Sequence, residues 1–268
     1  MQVVAVVLLH NEDVFAERVI RNVVDFCDRV HVADHVSSDS TWEIVSELAE
    51  EYDHLDAVRI SNSGRSHDLI ARYAGTDTWV FGPDGDELYD PEGLRRLRDE
   101  LESGRYDEFF RLIPAMLHTV ELDQEVMTAS GYLSPPSRCG AKLFNFAAIE
   151  SWTNVHRQCL HDGDVVYRPD RSWKQVHHFG EDPGFDESPF RCLHPAFLRR
   201  SSRDPEQGRL RLNPIEANTY RRDAVGRVQL VARRLRPGRR ETPWKLEKYR
   251  RGPLVTKDAA PFLAPVRA

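Results

Sequence analysis

No stretch of this chain comes near the roughly 18–20 consecutive apolar residues that a membrane-spanning helix needs. Cysteine is scarce. The four present (Cys27, Cys139, Cys159 and Cys192) form no CxxC pair and no tight cluster. That spacing speaks against a zinc site or a disulfide framework, and the thiols are expected reduced. The segment from Met1 to His10 lacks a basic opening, so its apolar run is expected to be a first strand and not an export signal. The expected location is therefore cytoplasmic. Lysine is also rare, with 5 Lys beside 32 Arg, a bias expected of a high-GC bacterium. Internal repeats and recognised nucleic-acid motifs are missing.

What is present suffices for a folded body. Of the 268 residues, 40% are hydrophobic and 30% charged, which supports a sizeable core. The net charge of −6 conceals two opposite parts. Residues 1–198 carry 18 Lys+Arg against 36 Asp+Glu, and residues 199–268 carry 19 against 7. An acidic domain, 1–198, is thus expected to be followed by a basic, partly helical extension, 199–268. The extension either folds back onto the acidic body or meets an anionic partner, such as a phosphorylated or carrier-bound acceptor, an acidic protein or a membrane surface.

Hydrophobic spacing predicts an alternation of strands and helices. Val3 to Leu9 is a Val-rich run suited to a strand buried on both faces. It ends in His10-Asn11-Glu12-Asp13. Val14, Phe15, Val19, Ile20, Val23, Val24 and Cys27 recur at helical spacing. A second strand, Val30 to Ala33, ends at Asp34. Ser40 and Glu43 have the spacing of a capping box before a second helix. Leu55 to Ile60 is a third strand, His67 to Ala74 a third helix, and Thr78 to Phe81 a fourth strand. A helix from Pro91 carries Leu94, Leu97 and Leu101 inward. This alternation predicts an α/β fold with a mainly parallel sheet. Beyond Tyr106 strands dominate, at Phe109 to Leu117, Val120 to Leu122, Ala141 to Ile149, Val165 to Tyr167 and Trp173 to Phe179. One helix is expected at Pro214 to Arg236. The body thus divides into residues 1–105 and 106–198.

The fourth strand runs through Gly82-Pro83 into Asp84-Gly85-Asp86-Glu87. Three carboxylates lie just past a strand's carboxyl end, the edge where open α/β sheets bind ligands. Carboxylates this close repel unless a cation is shared, and hard oxygen donors suit Mg2+ or Mn2+. By itself the stretch also fits an acidic turn capping the helix at Pro91.

Four features stand in order: LHNE, DHVSSDST, NSGRSHDLIARYAG and DGDE. In this order they resemble the GT-A fold glycosyltransferases, specifically the large family-2-like group, over about the first 105 residues. The resemblance implies a Rossmann-like nucleotide-binding half continuous with an acceptor half. It implies a nucleotide edge of Leu9, His10, Asn11, Glu12, Asp34, Arg65, Arg72, Asp84 and Gly85. Asp34 would meet the base or ribose, and Arg65 and Arg72 the diphosphate. It implies a metal, Mn2+ or Mg2+, at Asp86 with Asp84. It also implies a late His beside the metal, for which His178 in VHHFG is the candidate and His177 its competitor. The chain departs from the pattern at His35-Val36, where a small Gly-containing turn is common, and at Tyr73. Arg157 follows His156 where an acidic residue is common, which leaves the catalytic base open among Glu150, His156 and Asp162.

The function expected is transfer of a sugar from a UDP-sugar, with inversion, to a small-molecule, glycan or carrier-bound acceptor in bacterial glycan or natural-product assembly. Two other classes stay open. A sugar nucleotidyltransferase would normally carry a Gly-rich, basic phosphate loop, which LHNEDVFAER lacks. A non-catalytic nucleotide-sugar binding protein would work through the basic extension, which also offers peripheral membrane contact.

Overall fold

The apolar run from Val3 to Val7 is almost wholly inaccessible to water. At about 1.5–3 kcal/mol per buried large side chain, it belongs in the middle of a covered sheet. In the computed structural model, which describes residues 1–158, 160, 162–204 and 248–263, it forms β1 (Gln2–Leu9). On one side lie β2 (Arg29–Asp34) and then β3 (Leu55–Arg59), both parallel. On the other lies β4 (Thr78–Phe81), also parallel to β1. Beyond β4 come β9 (Leu143–Asn145), β6 (Arg111–Ile113) and β12 (Val176–His178), which complete a seven-stranded sheet. Only β9 runs against its neighbours. The expected α/β architecture with a mainly parallel sheet is present.

Helices α1 (Ala16–Val24) and α2 (Thr41–Glu51) pack beside one another after β1 and β2. The second differs in its cap. Asp39 Oδ1 accepts from Thr41 N at 3.1 Å and from Thr41 Oγ1 at 2.6 Å, whereas Ser40 makes no capping bond. Asp90 caps α3 (Pro91–Glu102), accepting from Glu92 N at 3.1 Å with Pro91 in the first turn. The acidic turn is therefore not needed to start that helix. The helix expected at His67 to Ala74 is instead two 3-10 turns, Ser63–Leu69 and Ala71–Tyr73. His67 is drawn inward by a 2.6 Å bond from Nε2 to the Trp152 carbonyl, and Gly75 at φ +76° ends the segment.

Pro114 divides the long apolar run 109–117. Ahead of it β6 stays in the first sheet. After it β7 (Ala115–Asp123) starts a second one, ordered β14 (Leu254–Asp258), β8 (Thr128–Ser134), β7, β13 (Arg191–His194) and β5 (Leu88–Tyr89). Residues 82–87 thus link β4 of one sheet to β5 of the other. A hairpin of β10 (Ile149–Thr153) and β11 (Asp164–Tyr167) stands apart from both sheets. The described parts of the basic extension fold onto the body. Residues 199–204 lie against the loop after β1, β14 pairs with β8, and α4 (Ala260–Leu263) buries Phe262 beside Phe185. The helix expected at 214–236 lies outside the described residues. Among the described residues, no helix is long and apolar enough to cross a membrane.

Candidate functional site

Parallel pairing brings three chain ends to one edge. Leu9 is opposite Asp34 in the β1–β2 register, and Asp84 bridges to Leu8 just past β4. The loops that follow are tied together. Asn11 N donates to Ser37 Oγ at 2.9 Å, and Ser38 N donates to Asn11 Oδ1 at 2.7 Å. Glu12 N donates to Thr41 Oγ1 at 2.8 Å, and His10 Nδ1 lies 2.6 Å from the His35 carbonyl. Asp34 is fully buried, accepts from Ser37 N at 3.2 Å, and meets Arg59 Nε at 3.2 Å. Val36, in the turn that departs from the family pattern, takes φ 52°, a region a β-branched residue adopts only under constraint.

The acidic turn divides its carboxylates between a buried lysine and a half-buried arginine. Lys142, one residue ahead of β9, lies 2.7 Å from both Asp84 Oδ2 and Glu87 Oε1. Tyr89 donates to Glu87 Oε2 at 3.0 Å. Burial raises the Glu87 carboxyl, against the pull of Lys142. Burial would also lower Lys142, but Asp84 and Glu87 outweigh it and hold the ammonium charged. Asp86 is buried and points the other way, to Arg200, whose Nη1 also lies 3.4 Å from Glu12 Oε1. His194, the last residue of β13, places Nε2 3.4 Å from Asp86 Oδ2. Gly85 lets Glu12 approach, because a Cβ there would stand 2.0 Å from Glu12 Oε2.

One guanidinium between two buried carboxylates splits their behaviour. Burial alone would raise Asp86, but Arg200 and His194 overcome it and hold the group well below the usual carboxylate range. Burial and the Asp86 charge push Glu12 up, from an ordinary value of 4.5 to about 8. In the window 4.5 to 8 the folded chain keeps the Glu12 proton and the unfolded chain loses it. This group's contribution to stability is therefore fully present below pH 4.5 and is lost as pH rises towards 8, by at most about 1.4 kcal/mol per pH unit. Urea unfolding across that range, compared with Glu12→Gln, is expected to show the slope in the wild type and its loss in the variant. Parallel curves for the two proteins would refute the raised value.

Two carboxylates thus meet at a position that already stabilises a positive charge, and an imidazole lies against one of them. That donor set suits Mn2+ or another hard to borderline divalent cation, with Arg200 as its stand-in. As they stand, no three His, Cys, Asp or Glu side chains among the described residues are arranged to hold a metal ion. The guanidinium takes that space, so a metal at Asp86 requires Arg200 to withdraw.

The structure gathers Leu9, His10, Asn11, Glu12, Asp34, Asp84, Gly85 and Asp86 at this edge and leaves other candidates elsewhere. His178 is exposed at the end of β12, three strands from β4, or roughly 14 Å at ordinary strand spacing. Arg65 is exposed and pairs with Asp68 at 3.4 Å. Arg72 stacks on Tyr73 and donates to its hydroxyl at 2.9 Å, beside His31. Glu150 is exposed on β10. His156 is exposed and Asp162 half-buried in the loop after β10, where Asp162 Oδ1 accepts from Arg157 N at 3.2 Å. This loop lies against residues 1–105, since a Cβ on Gly64 would stand 2.8 Å from the Arg157 carbonyl and one on Gly82 2.6 Å from Leu160. Sequence reasoning missed Lys142, His194 and Arg200. A lone lysine in the apolar stretch 141–149 was a signal for the first. Nothing local distinguished the other two.

Residues 4–113 match the model of the family described as glycosyl transferase family 2. No curated protein matches the chain. Among solved structures, the chain is similar to glucosyl-3-phosphoglycerate synthase from Mycobacterium tuberculosis in complex with Mn2+, UDP and glucosyl-3-phosphoglycerate. There the identity is 17% and the TM-score 0.34, over 43% of this chain and 44% of that one. It is also similar to a mannosyltransferase from Pyrobaculum calidifontis in complex with GDP-Man and Mn2+. That match has 20% identity and a TM-score of 0.33, over 45% of this chain and 36% of the other. The chain thus spans less than half the length of these two proteins.

Proposed function

From the premise that this chain belongs, through residues 4–113, to glycosyl transferase family 2, we propose that it moves a sugar from a UDP-sugar to a small-molecule, glycan or carrier-bound acceptor. The observation that carries this reading is Asp86 beside the nucleotide edge, sharing the Arg200 guanidinium with Glu12 and flanked by His194. Asp34 and the Asn11–Ser37 loop pair hold the nucleoside. Asp86 and His194, with Asp84 at the rim, would hold Mn2+ or Mg2+, which would supply Lewis-acid charge for the leaving diphosphate, the largest demand in an oxocarbenium-like transfer. Buried Lys142 holds Asp84 and Glu87 in place. Leu160 on Gly82 brings the loop that carries His156 and Asp162 beside the acidic turn, and a base on this loop takes the acceptor's proton. Attack from that side displaces the diphosphate with inversion. The setting is bacterial glycan or natural-product assembly in the cytoplasm, with an acceptor that is anionic or carrier-bound. Peripheral membrane contact would run through the basic extension, 199–268.

The test is UDP release across a panel of UDP-sugars, with and without Mn2+, on the full chain. At least one donor is expected to release UDP faster with acceptor extracts and metal than with either missing. Release that ignores metal would overturn the metal role. No release from any nucleotide sugar, despite nucleotide binding, would leave a binding protein in place of an enzyme.

A further inference from the structure

The two arginines expected at the diphosphate are engaged elsewhere, Arg65 with Asp68 and Arg72 with Tyr73. A nucleotide sugar at this edge would still bring two phosphates, whose charge grows as the bond to the sugar breaks and must be met. Lys142 is held between Asp84 and Glu87, at 2.7 Å from each. Arg59 pairs with Asp34 at 3.2 Å. Arg200 differs from both in having a donor to spare. Its guanidinium carries five N–H donors and stays charged at every working pH. Nη1 serves both Asp86 and Glu12, the latter at 3.4 Å, which is long for a charge-assisted bond. Nε is buried and, among the described residues, makes no hydrogen bond. A buried donor left unpaired is costly, and an arriving acceptor relieves that cost. The backbone beneath this side chain is anchored. The Arg200 carbonyl accepts from Val14 N at 3.1 Å, Ser202 N donates to Asp13 Oδ1 at 2.6 Å, and Ser201 Oγ donates to Asp39 Oδ2. These anchors lie in the loops that follow β1 and β2. In open α/β sheets the phosphates of a nucleotide lie against the turn after the first strand, and Val14 stands in that turn, just before α1.

We propose that Arg200 is a diphosphate-binding residue: with its backbone anchored to the loops after β1 and β2, its guanidinium turns from Glu12 and Asp86 onto the diphosphate of a bound UDP-sugar. The inference rests on the reading of this edge as a nucleotide-sugar site. It gives that task to a residue of the basic extension, outside the stretch 4–113 that matches the family. The same turn vacates the position beside Asp86.

The test is calorimetric titration of the full chain with UDP and with uridine, both in chelator so that no metal takes part. Wild type is expected to bind UDP more tightly than uridine, which has no phosphate. Arg200→Gln is expected to weaken UDP roughly 10–100-fold, the loss of a hydrogen bond to a charged group, and to leave uridine unaltered. Arg200→Lys keeps the charge without the planar fork and is expected to fall between the two. UDP binding unaltered in Arg200→Gln overturns the role of Arg200. UDP and uridine weakened alike overturn it too, because a merely structural arginine would act on both. Wild type that distinguishes UDP from uridine only when Mn2+ is added also overturns it and leaves the diphosphate to the metal. Wild type that binds neither ligand, with metal or without, overturns the nucleotide-sugar reading itself and the proposal with it.

Discussion

Asp86→Asn is expected to lower sugar transfer by roughly 10³-fold, the upper range for losing one pre-organised charge-stabilising group, while the protein stays folded. The stability side follows from the charges around Arg200. Removing one partner of a buried pair ordinarily costs about 3–5 kcal/mol, because the other charge is left uncompensated. Here it is not left so. Glu12 is held up to about 8 partly by the Asp86 charge and lies 3.4 Å from the same guanidinium. Once that charge is gone, Glu12 ionises and takes over Arg200. The single variant should therefore lose less than about 2 kcal/mol, whereas Asp86→Asn with Glu12→Gln should lose the full ~3–5. Urea unfolding of both singles and the double measures the excess. Additive losses would sink the shared-partner account. Transfer close to wild type in Asp86→Asn would sink the catalytic one.

Gly85→Ala is expected to damage the protein through a single methyl group. Its Cβ would stand 2.0 Å from Glu12 Oε2 and 2.2 Å from Leu9 Cδ2. Neither neighbour moves freely. Leu9 is fully buried, and the Glu12 carboxylate is held by His10 N at 3.3 Å and by Arg200. Overpacking of this kind costs about 1–3 kcal/mol. In a chain of this size that lowers the melting temperature by roughly 3–10 °C. Glu12 and the turn are pushed apart, and a displacement near 1 Å can cost about 10²-fold in rate. Calorimetry and a donor-turnover assay check both effects. A variant that melts and works like the wild type would show that the contact of Glu12 with the turn is not required.

The fold of residues 1–105 was legible because its signals are local. Val3 to Leu9, Val30 to Ala33 and Thr78 to Phe81 carry their burial in their own composition, and a parallel sheet then delivers Asn11, Asp34 and Asp84 to one edge. His194 was not legible. It ends a four-residue strand, Arg191–His194, whose place is set by β7 and β5, more than 70 and 100 residues earlier in the chain. Val176 to His178 had the stronger strand pattern and an equally good imidazole, yet its partner is β6 at the sheet's far side. Arg200 is one of 19 cations after residue 198, and no neighbouring residue marks it. The segment 67–74 misleads for a related reason. Its spacing suits a helix, but the Trp152 carbonyl, 85 positions later, claims the His67 ring.

Asn22 in α1 donates to the Tyr89 carbonyl at 2.8 Å and to the Phe262 carbonyl at 2.9 Å, the second across 240 positions. Glu12 meets Arg200 across 188. Such closures come late on a folding route, because chain entropy is lost before distant contacts repay it. The central strands can therefore assemble while the edge that carries Glu12 and Asp86 is still open. After dilution from denaturant, helical and sheet signals should return ahead of the closure of Arg200 onto Glu12 and Asp86.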